Sequence, residues 1–326
     1  MNKRRLLLLF LLPMLMAAPR AHAQQELQLS QYMFNGLTLN PALAGSREAF
    51  NAQLMYRMQW AGMGDGAPAS YTGSVDGTVT QRNSMGWGLS VVGEQMGLMK
   101  TMGAYASYSF RIRLNSAGDR LSLGLSAGAM QESFGGVDFF EEDAQGNLIY
   151  NPDPTLEKES RMRPDFRVGA YYSMGRMLYA GVSASNLGSF LSLDSLQNPY
   201  IYVNLGGNFY LGEKWKLSPS TLLTVPLDDR MLLDFNLAAT FADRFWLGAG
   251  LRTTLPVGKS KYPDTEMLSS VALMAEVWVT HALRIGYCYD YGIGRFTGAQ
   301  SGSHEISLGI TLARKIKKST SPREGE

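Results

Sequence analysis

The chain is poor in the groups on which enzyme chemistry is usually built. Among 326 residues there is one cysteine, Cys288, there are three histidines, and only 18% of residues are charged. A lone cysteine excludes an intrachain disulfide even in an oxidising compartment, so Cys288 reads as an interior filler rather than a reactive thiol. With so few histidines there is no His-rich metal cluster, and nothing indicates a prosthetic group. No apolar run is long enough to cross a bilayer as a helix. The longest, Leu6 to Ala18, is too short for that.

That run has another use. Lys3, Arg4 and Arg5 form a basic start, Leu6 to Ala18 an apolar core, and Ala21-His22-Ala23 a small-x-small cleavage site, so residues 1–23 read as a signal peptide and the mature chain starts at Gln24. Its removal takes away four basic residues and no acidic ones, leaving 26 basic against 28 acidic residues. The slight excess of positive charge in the whole chain therefore says nothing about nucleic acid.

What the chain has in abundance is alternation. In the first such segment Phe50, Ala52, Leu54, Tyr56, Met58 and Trp60 share one face, and Asn51, Gln53, Met55, Arg57 and Gln59 the other. The last sets Ile306, Leu308, Ile310 and Leu312 against Glu305, Ser307, Gly309 and Thr311. Fourteen strands are predicted near 50–60, 69–80, 85–95, 102–113, 120–131, 165–174, 177–185, 201–211, 214–224, 231–241, 245–255, 268–279, 282–291 and 304–314. An exported chain of this kind reads as all-β: a single transmembrane antiparallel barrel over 50–314, because in lipid only helices and closed barrels satisfy every backbone N–H and C=O.

The connections separate this reading from a soluble β-sandwich. Those after odd strands are long (61–68, 132–164, 186–200, 256–267, 292–303), whereas those after even strands are mostly tight, as at Gly175-Arg176 and Asp243-Arg244. Outer-membrane barrels have short periplasmic turns and long outer loops, so both chain ends are expected to face the periplasm. Trp60, Trp87, Trp215, Tyr172 and Tyr291 fit an interfacial girdle, with packing against another barrel as the competing use.

The inward face carries Arg57, Arg111, Arg167, Arg252 and Arg284 interleaved with Asp76, Glu94, Asp234, Glu276, Asp290 and Glu305. Charges of both signs are expected to pair across the lumen, either to hold the barrel's shape or to rearrange when a partner binds. Ahead of the barrel, residues 24–49 contain Leu39-Asn40-Pro41-Ala42-Leu43-Ala44-Gly45, in which Asn40 suits an N-cap, Pro41 the first helical position and Gly45 the stop. One helical turn is implied. The segment is too apolar for a free tail and is expected to tuck into the barrel mouth as a plug, with a simple lead-in to the first strand as the competing reading.

Taken in order, Gln31-Tyr32-Met33, Asn40-Pro41-Ala42-Leu43-Ala44-Gly45, Tyr56-Arg57-Met58-Gln59-Trp60 with Gly62, Pro68 and Asp76, Leu123-Gly124-Leu125-Ser126-Ala127-Gly128 and Gly302-Ser303-His304-Glu305-Ile306 resemble the PorP/SprF family of the type IX secretion system of Bacteroidetes. The resemblance covers essentially the whole mature chain. It implies an integral outer-membrane barrel that supports secretion or surface attachment of cargo proteins, in some organisms gliding adhesins. It also implies contact with the periplasmic lipoprotein ring and a peptidoglycan-binding adaptor. Asn-Pro-Ala and the strand number are shared with FadL-like channels for hydrophobic small molecules, which is the second reading.

Residues 315–326 depart from many outer-membrane barrels, which end on an aromatic residue. Arg314-Lys315-Ile316-Lys317-Lys318 opens a basic tail that cannot lie in lipid and should hang in the periplasm, either solvated or touching the ring. Catalysis has little support, since Ser303 and His304 are strand neighbours and point to opposite faces. In the longest outer loop Glu141-Glu142-Asp143 and Gly146-Asn147 fit no standard Ca2+ loop and read as a solvated patch. That loop, with Pro152, Pro154 and Pro164, is the best candidate for contacting cargo or an extracellular partner.

Overall fold

The computed structural model describes residues 28–64, 66–79, 83–135, 140–142, 148–150, 159–191, 198–227, 231–255, 269–293 and 301–313. The signal peptide, the basic tail and most of the long connections lie outside these residues. Fourteen antiparallel strands form a closed barrel. They are β1 (Ala49–Met58), β2 (Ala69–Thr78), β3 (Met85–Met96), β4 (Met99–Arg113), β5 (Arg120–Phe134), β6 (Glu159–Met174) and β7 (Leu178–Ser185). Then come β8 (Tyr200–Gly207, continued by Phe209–Leu211), β9 (Trp215–Pro226), β10 (Met231–Phe241), β11 (Phe245–Leu255), β12 (Ser269–Trp278), β13 (Leu283–Ile293) and β14 (Ser303–Ala313). Closure is by β1 on β14, in register from Ala49 opposite Ala313 to Met58 opposite His304.

Side-chain period sets the two faces. In β1 Asn51, Gln53, Met55 and Arg57 are buried while Phe50, Leu54, Tyr56 and Met58 are exposed. The same holds around the barrel, where Leu125, Leu247 and Leu273 are each more than 60% exposed. A belt of exposed aliphatic and aromatic side chains around a polar interior is the inverse of a water-soluble protein, and only hydrocarbon makes it favourable. Among the described residues no helix is long and apolar enough to cross a membrane, so the strands do the crossing.

Strand boundaries differ from expectation where neighbours decide them. β6 begins at Glu159 rather than 165, although Arg161, Arg163 and Pro164 break the alternation. Its first half pairs with β5 up to Phe134 opposite Glu159, whereas β7 joins only at Val168 opposite Ala184. Pro164 therefore lies on a one-sided edge, where a missing N–H costs no ladder bond. β8 is interrupted at Asn208, whose N–H donates to the Met177 carbonyl at 2.7 Å. Trp60 was expected on the first strand, but β1 ends at Met58 and Trp60 adopts a left-handed backbone (φ 52°) in the following turn.

Both barrel ends of the chain, Ala49 and Ala313, lie where the short turns are. The segment ahead of β1 does not stay there.

Candidate functional site

Residues 28–48 run inside the barrel along most of its length, deeper than a seat at the mouth. Gln28 to Gln31 lie in the half of the lumen nearest the long connections, and Gly45 reaches the short-turn end. Three helical turns form along the way instead of one: Tyr32–Phe34, Gly36–Leu39 and Pro41–Leu43. The expectation that both chain ends face the short-turn side thus applies to the barrel strands, while the described N-terminal residues begin at the opposite half because the segment doubles back on β1.

At its start the segment is tied to a charge cluster. The Glu305 carboxylate accepts the backbone N–H of Ser30 at 2.9 Å and of Gln31 at 2.8 Å. Arg57 pairs with Glu305 at 3.1 Å and with Asp290, and its guanidinium donates to the Ser30 hydroxyl at 3.0 Å. Arg252 joins Asp234 at 2.6 Å and donates to the Leu29 carbonyl at 3.1 Å. These charges are buried, so each depends on its partners to offset lost hydration. Cys288 is fully buried beside Asp290, as an interior filler should be.

Further along, the Tyr32 hydroxyl donates to Ser220 at 3.0 Å. Phe34 packs edge-on against Trp246 and under the Arg284 guanidinium, which also pairs with Glu276. Arg167 donates to the Thr38 carbonyl at 2.9 Å while lying 3.5 Å above the Tyr105 ring. Asn40 does two jobs. Its Oδ1 accepts from Ala42 N–H at 2.9 Å as a helix cap, and its Nδ2 donates to the Ala170 and Val182 carbonyls of the wall.

The wall is glycine where the segment presses on it. A Cβ on Gly124 would lie 2.1 Å from the Ala42 nitrogen, one on Gly169 2.1 Å from Asn40 Oδ1, and one on Gly86 2.0 Å from the Ala44 carbonyl oxygen. Gly45, with φ +66°, turns the chain out toward β1 while its N–H donates to Asp76 at 2.9 Å. Arg111 closes the exit by donating to the Gly45 carbonyl at 2.7 Å.

The family model described as "Type IX secretion system membrane protein PorP/SprF" matches residues 21–310. The chain belongs to this family. No curated protein matches it. Among solved structures the PorP/SprF barrel is similar to the CymD monoaromatic hydrocarbon channel, with 11% identity, a TM-score of 0.57, 86% of this chain and 93% of that one covered. It is also similar to a Pseudomonas aeruginosa FadL homologue, with 13% identity, a TM-score of 0.50, and 90% and 96% covered. At such identities the likeness is one of fold.

The motif residues of this PorP/SprF chain gather at the two ends of the lumen. Asn40, Pro41, Ala42, Gly45 and Asp76 meet at the short-turn half. At the other end Gln59 N–H donates to the Pro68 carbonyl at 2.8 Å, Ala61 N–H to the Gly302 carbonyl at 2.8 Å, and Trp60 N–H to the Ser303 hydroxyl at 3.2 Å. The first bond closes the base of the β1–β2 connection, and the other two staple that connection to the start of β14, beside Arg57 and Glu305. Tyr56 stands apart, facing outward. His304 also faces away from Ser303 and bonds the Tyr287 hydroxyl at 2.7 Å.

Charge pairing is more selective than the alternation suggested. Arg57, Arg252 and Arg284 find carboxylates on nearby strands, but Arg111 serves the Gly45 carbonyl and Glu48, Arg167 serves the Thr38 carbonyl, and Glu94 joins no ion pair among the described residues. Sequence reasoning missed the Tyr105–Asp165 bond at 2.9 Å and the Arg163–Glu132 pair. It also missed the glycine bed, which inward alternation hinted at only as small residues.

Proposed function

We propose that this barrel is a non-enzymatic accessory of type IX secretion in the outer membrane, supporting export or surface attachment of cargo proteins, in some bacteria gliding adhesins. In this reading residues 1–23 direct export, 24–49 plug the lumen, 50–314 form the barrel, and the short turns and the 315–326 tail face the periplasm. There they meet the lipoprotein ring and a peptidoglycan-binding adaptor. Beyond family membership, the observation that best supports it is the bonding of Ser30 and Gln31 to Glu305 within the buried Arg57–Asp290 cluster. A lumen whose wall shares one charge network with the chain's own N-terminal segment suits a barrel that handles partners rather than a constitutive pore.

The FadL-like fold keeps a hydrophobic-solute channel as the competing outcome. Deleting the gene and assaying secreted proteins and permeability together tests the choice. The secretion reading expects a defined cargo to remain in the periplasm with general permeability unchanged. Normal secretion with lost uptake of a small aromatic hydrocarbon would overturn it in favour of the channel.

A further inference from the structure

Two adjoining cavities of about 630 and 690 Å3 lie at the short-turn end of the lumen. They share Ser46, Arg47, Tyr171, Tyr179, Asn208 and Lys216 on their walls and so form one continuous vestibule. Each is within the range of about 300–1,000 Å3 usual for ligand sites. The part nearest the turns is strongly basic, with Arg47, Arg111, Arg120, Arg176 and Lys216 against the single carboxylate of Glu48.

That carboxylate is already engaged. Glu48 bridges Arg111 and Arg120, and Arg111 is further held by the Gly45 carbonyl. Arg47 is hydrogen-bonded to the Asn51 side chain and the Phe34 carbonyl, both neutral, with the Asp76 and Glu276 carboxylates acting on it from beyond ion-pair distance. Among the described residues Arg47, Arg176 and Lys216 make no ion pair. The deeper wall adds Asp76, Asp243 and Glu276 against Arg284, so over the whole vestibule six cationic side chains face four carboxylates; the surplus is positive and sits in the part nearest the turns, where it concentrates anions.

The deeper part supplies different chemistry. Tyr171 stacks on Tyr179 at 5.9 Å, and Tyr202 and Trp246 add further aromatic faces. Asn204 and Ser218 line the same space, and their amide and hydroxyl groups suit backbone N–H and C=O partners. Ser218 already donates to Asn208 Oδ1 at 2.9 Å; a bare acyl chain offers such groups no further partner, whereas an extended peptide does. The chain's own C-terminal tail is a poor occupant, since it opens with Arg314, Lys315, Lys317 and Lys318 and has the same sign as the rim.

We infer that this vestibule binds an acidic polypeptide segment bearing aromatic or aliphatic side chains, its carboxylates on Arg47, Arg176 and Lys216 and its apolar side chains against the tyrosines. That the segment arrives from the periplasm rests on the orientation proposed above; the site itself does not.

The test uses the full mature chain in a non-ionic detergent and a fluorescein-labelled (Glu-Phe)4 peptide, followed by anisotropy. Saturable binding is expected, weakening as salt rises and falling about tenfold in Arg176→Gln/Lys216→Gln, two positions at the rim where the barrel's heat-modifiable gel mobility should be kept. Charge reversal at the same positions should turn preference toward (Lys-Phe)4. Equal binding of both peptides by the unaltered barrel, no saturable binding, or displacement of the peptide by an equal concentration of laurate would each overturn the inference, the last assigning the space to an anionic amphiphile. Because no secretion machinery is present in the assay, failure here leaves the secretion reading standing, and failure of secretion phenotypes leaves the vestibule standing.

Discussion

Arg57 and Glu305 stand opposite one another across the seam where β1 meets β14, 3.1 Å apart at their charged atoms, and both also hold Ser30 of the N-terminal segment. One pair therefore closes the barrel and anchors its contents. Removing Arg57 leaves two buried carboxylates, Glu305 and Asp290, without their shared counter-ion, whereas removing Glu305 leaves Arg57 with Asp290 but takes the acceptor from the Ser30 and Gln31 N–H groups.

Glu305→Ala should lower stability by about 2–4 kcal/mol, because the buried Ser30 and Gln31 N–H groups lose their acceptor while Arg57 keeps Asp290. Glu305→Gln, which keeps a carbonyl for the Ser30 and Gln31 N–H groups, should lose less. The temperature at which the barrel loses its folded gel mobility reads both. Arg57→Ala and Trp60→Ala are expected to impair assembly more than transport. An inserted Arg57→Ala barrel of unaltered stability that had nevertheless lost secretion would contradict the structural role.

Gly124→Val or Gly169→Val should displace the Asn40-Pro41-Ala42 turn, because even a Cβ at either position would lie 2.1 Å from its atoms. The expected result is an inserted barrel with raised single-channel conductance in planar bilayers. Conductance identical to the parent would show that residues 28–48 do not limit passage.

Arg167 over Tyr105, at 3.5 Å, is a desolvated cation–π contact worth about 2 kcal/mol. Arg167→Lys loses the flat guanidinium as well as the geometry that reaches the Thr38 carbonyl. A double-mutant cycle with Tyr105→Leu should give a coupling of about 1–2 kcal/mol by denaturant titration. Additive effects would mean the ring contributes packing alone.

Leu125 is 63% exposed on the outer face of β5, near the middle of the strand. Leu125→Arg should cost about 2–4 kcal/mol on folding into lipid vesicles. The neighbouring Ser126→Ala, facing inward, should cost far less. Equal penalties would place the two faces in similar surroundings and remove the membrane reading.

Much of this molecule was legible because alternation is a local property. Each strand announces its outward face by residues such as Phe50, Leu54 and Tyr56 two apart, and the tight connections at Gly175-Arg176 and Asp243-Arg244 give the strand parity. Asn40 and Gly45 likewise carry their own backbone chemistry, and both behave as cap and stop in the fold. β6 was read too short because Pro164 is tolerated only by virtue of a neighbour that is missing on one side, which is not a property of residues 159–165.

The order of amino acids by itself determined that there would be a barrel, how many strands it has and which face of each meets lipid, because a two-residue period combined with chain closure leaves no other way to satisfy the backbone in hydrocarbon. Only the tertiary structure decided that residues 28–48 run the length of the lumen, that Gly86, Gly124 and Gly169 make their bed, and which arginine meets which carboxylate. Those choices depend on which strands and segments come to face one another, from Ser30 with Glu305, 275 positions apart, to Arg284 with Glu276 on neighbouring strands, and no two-residue period encodes them.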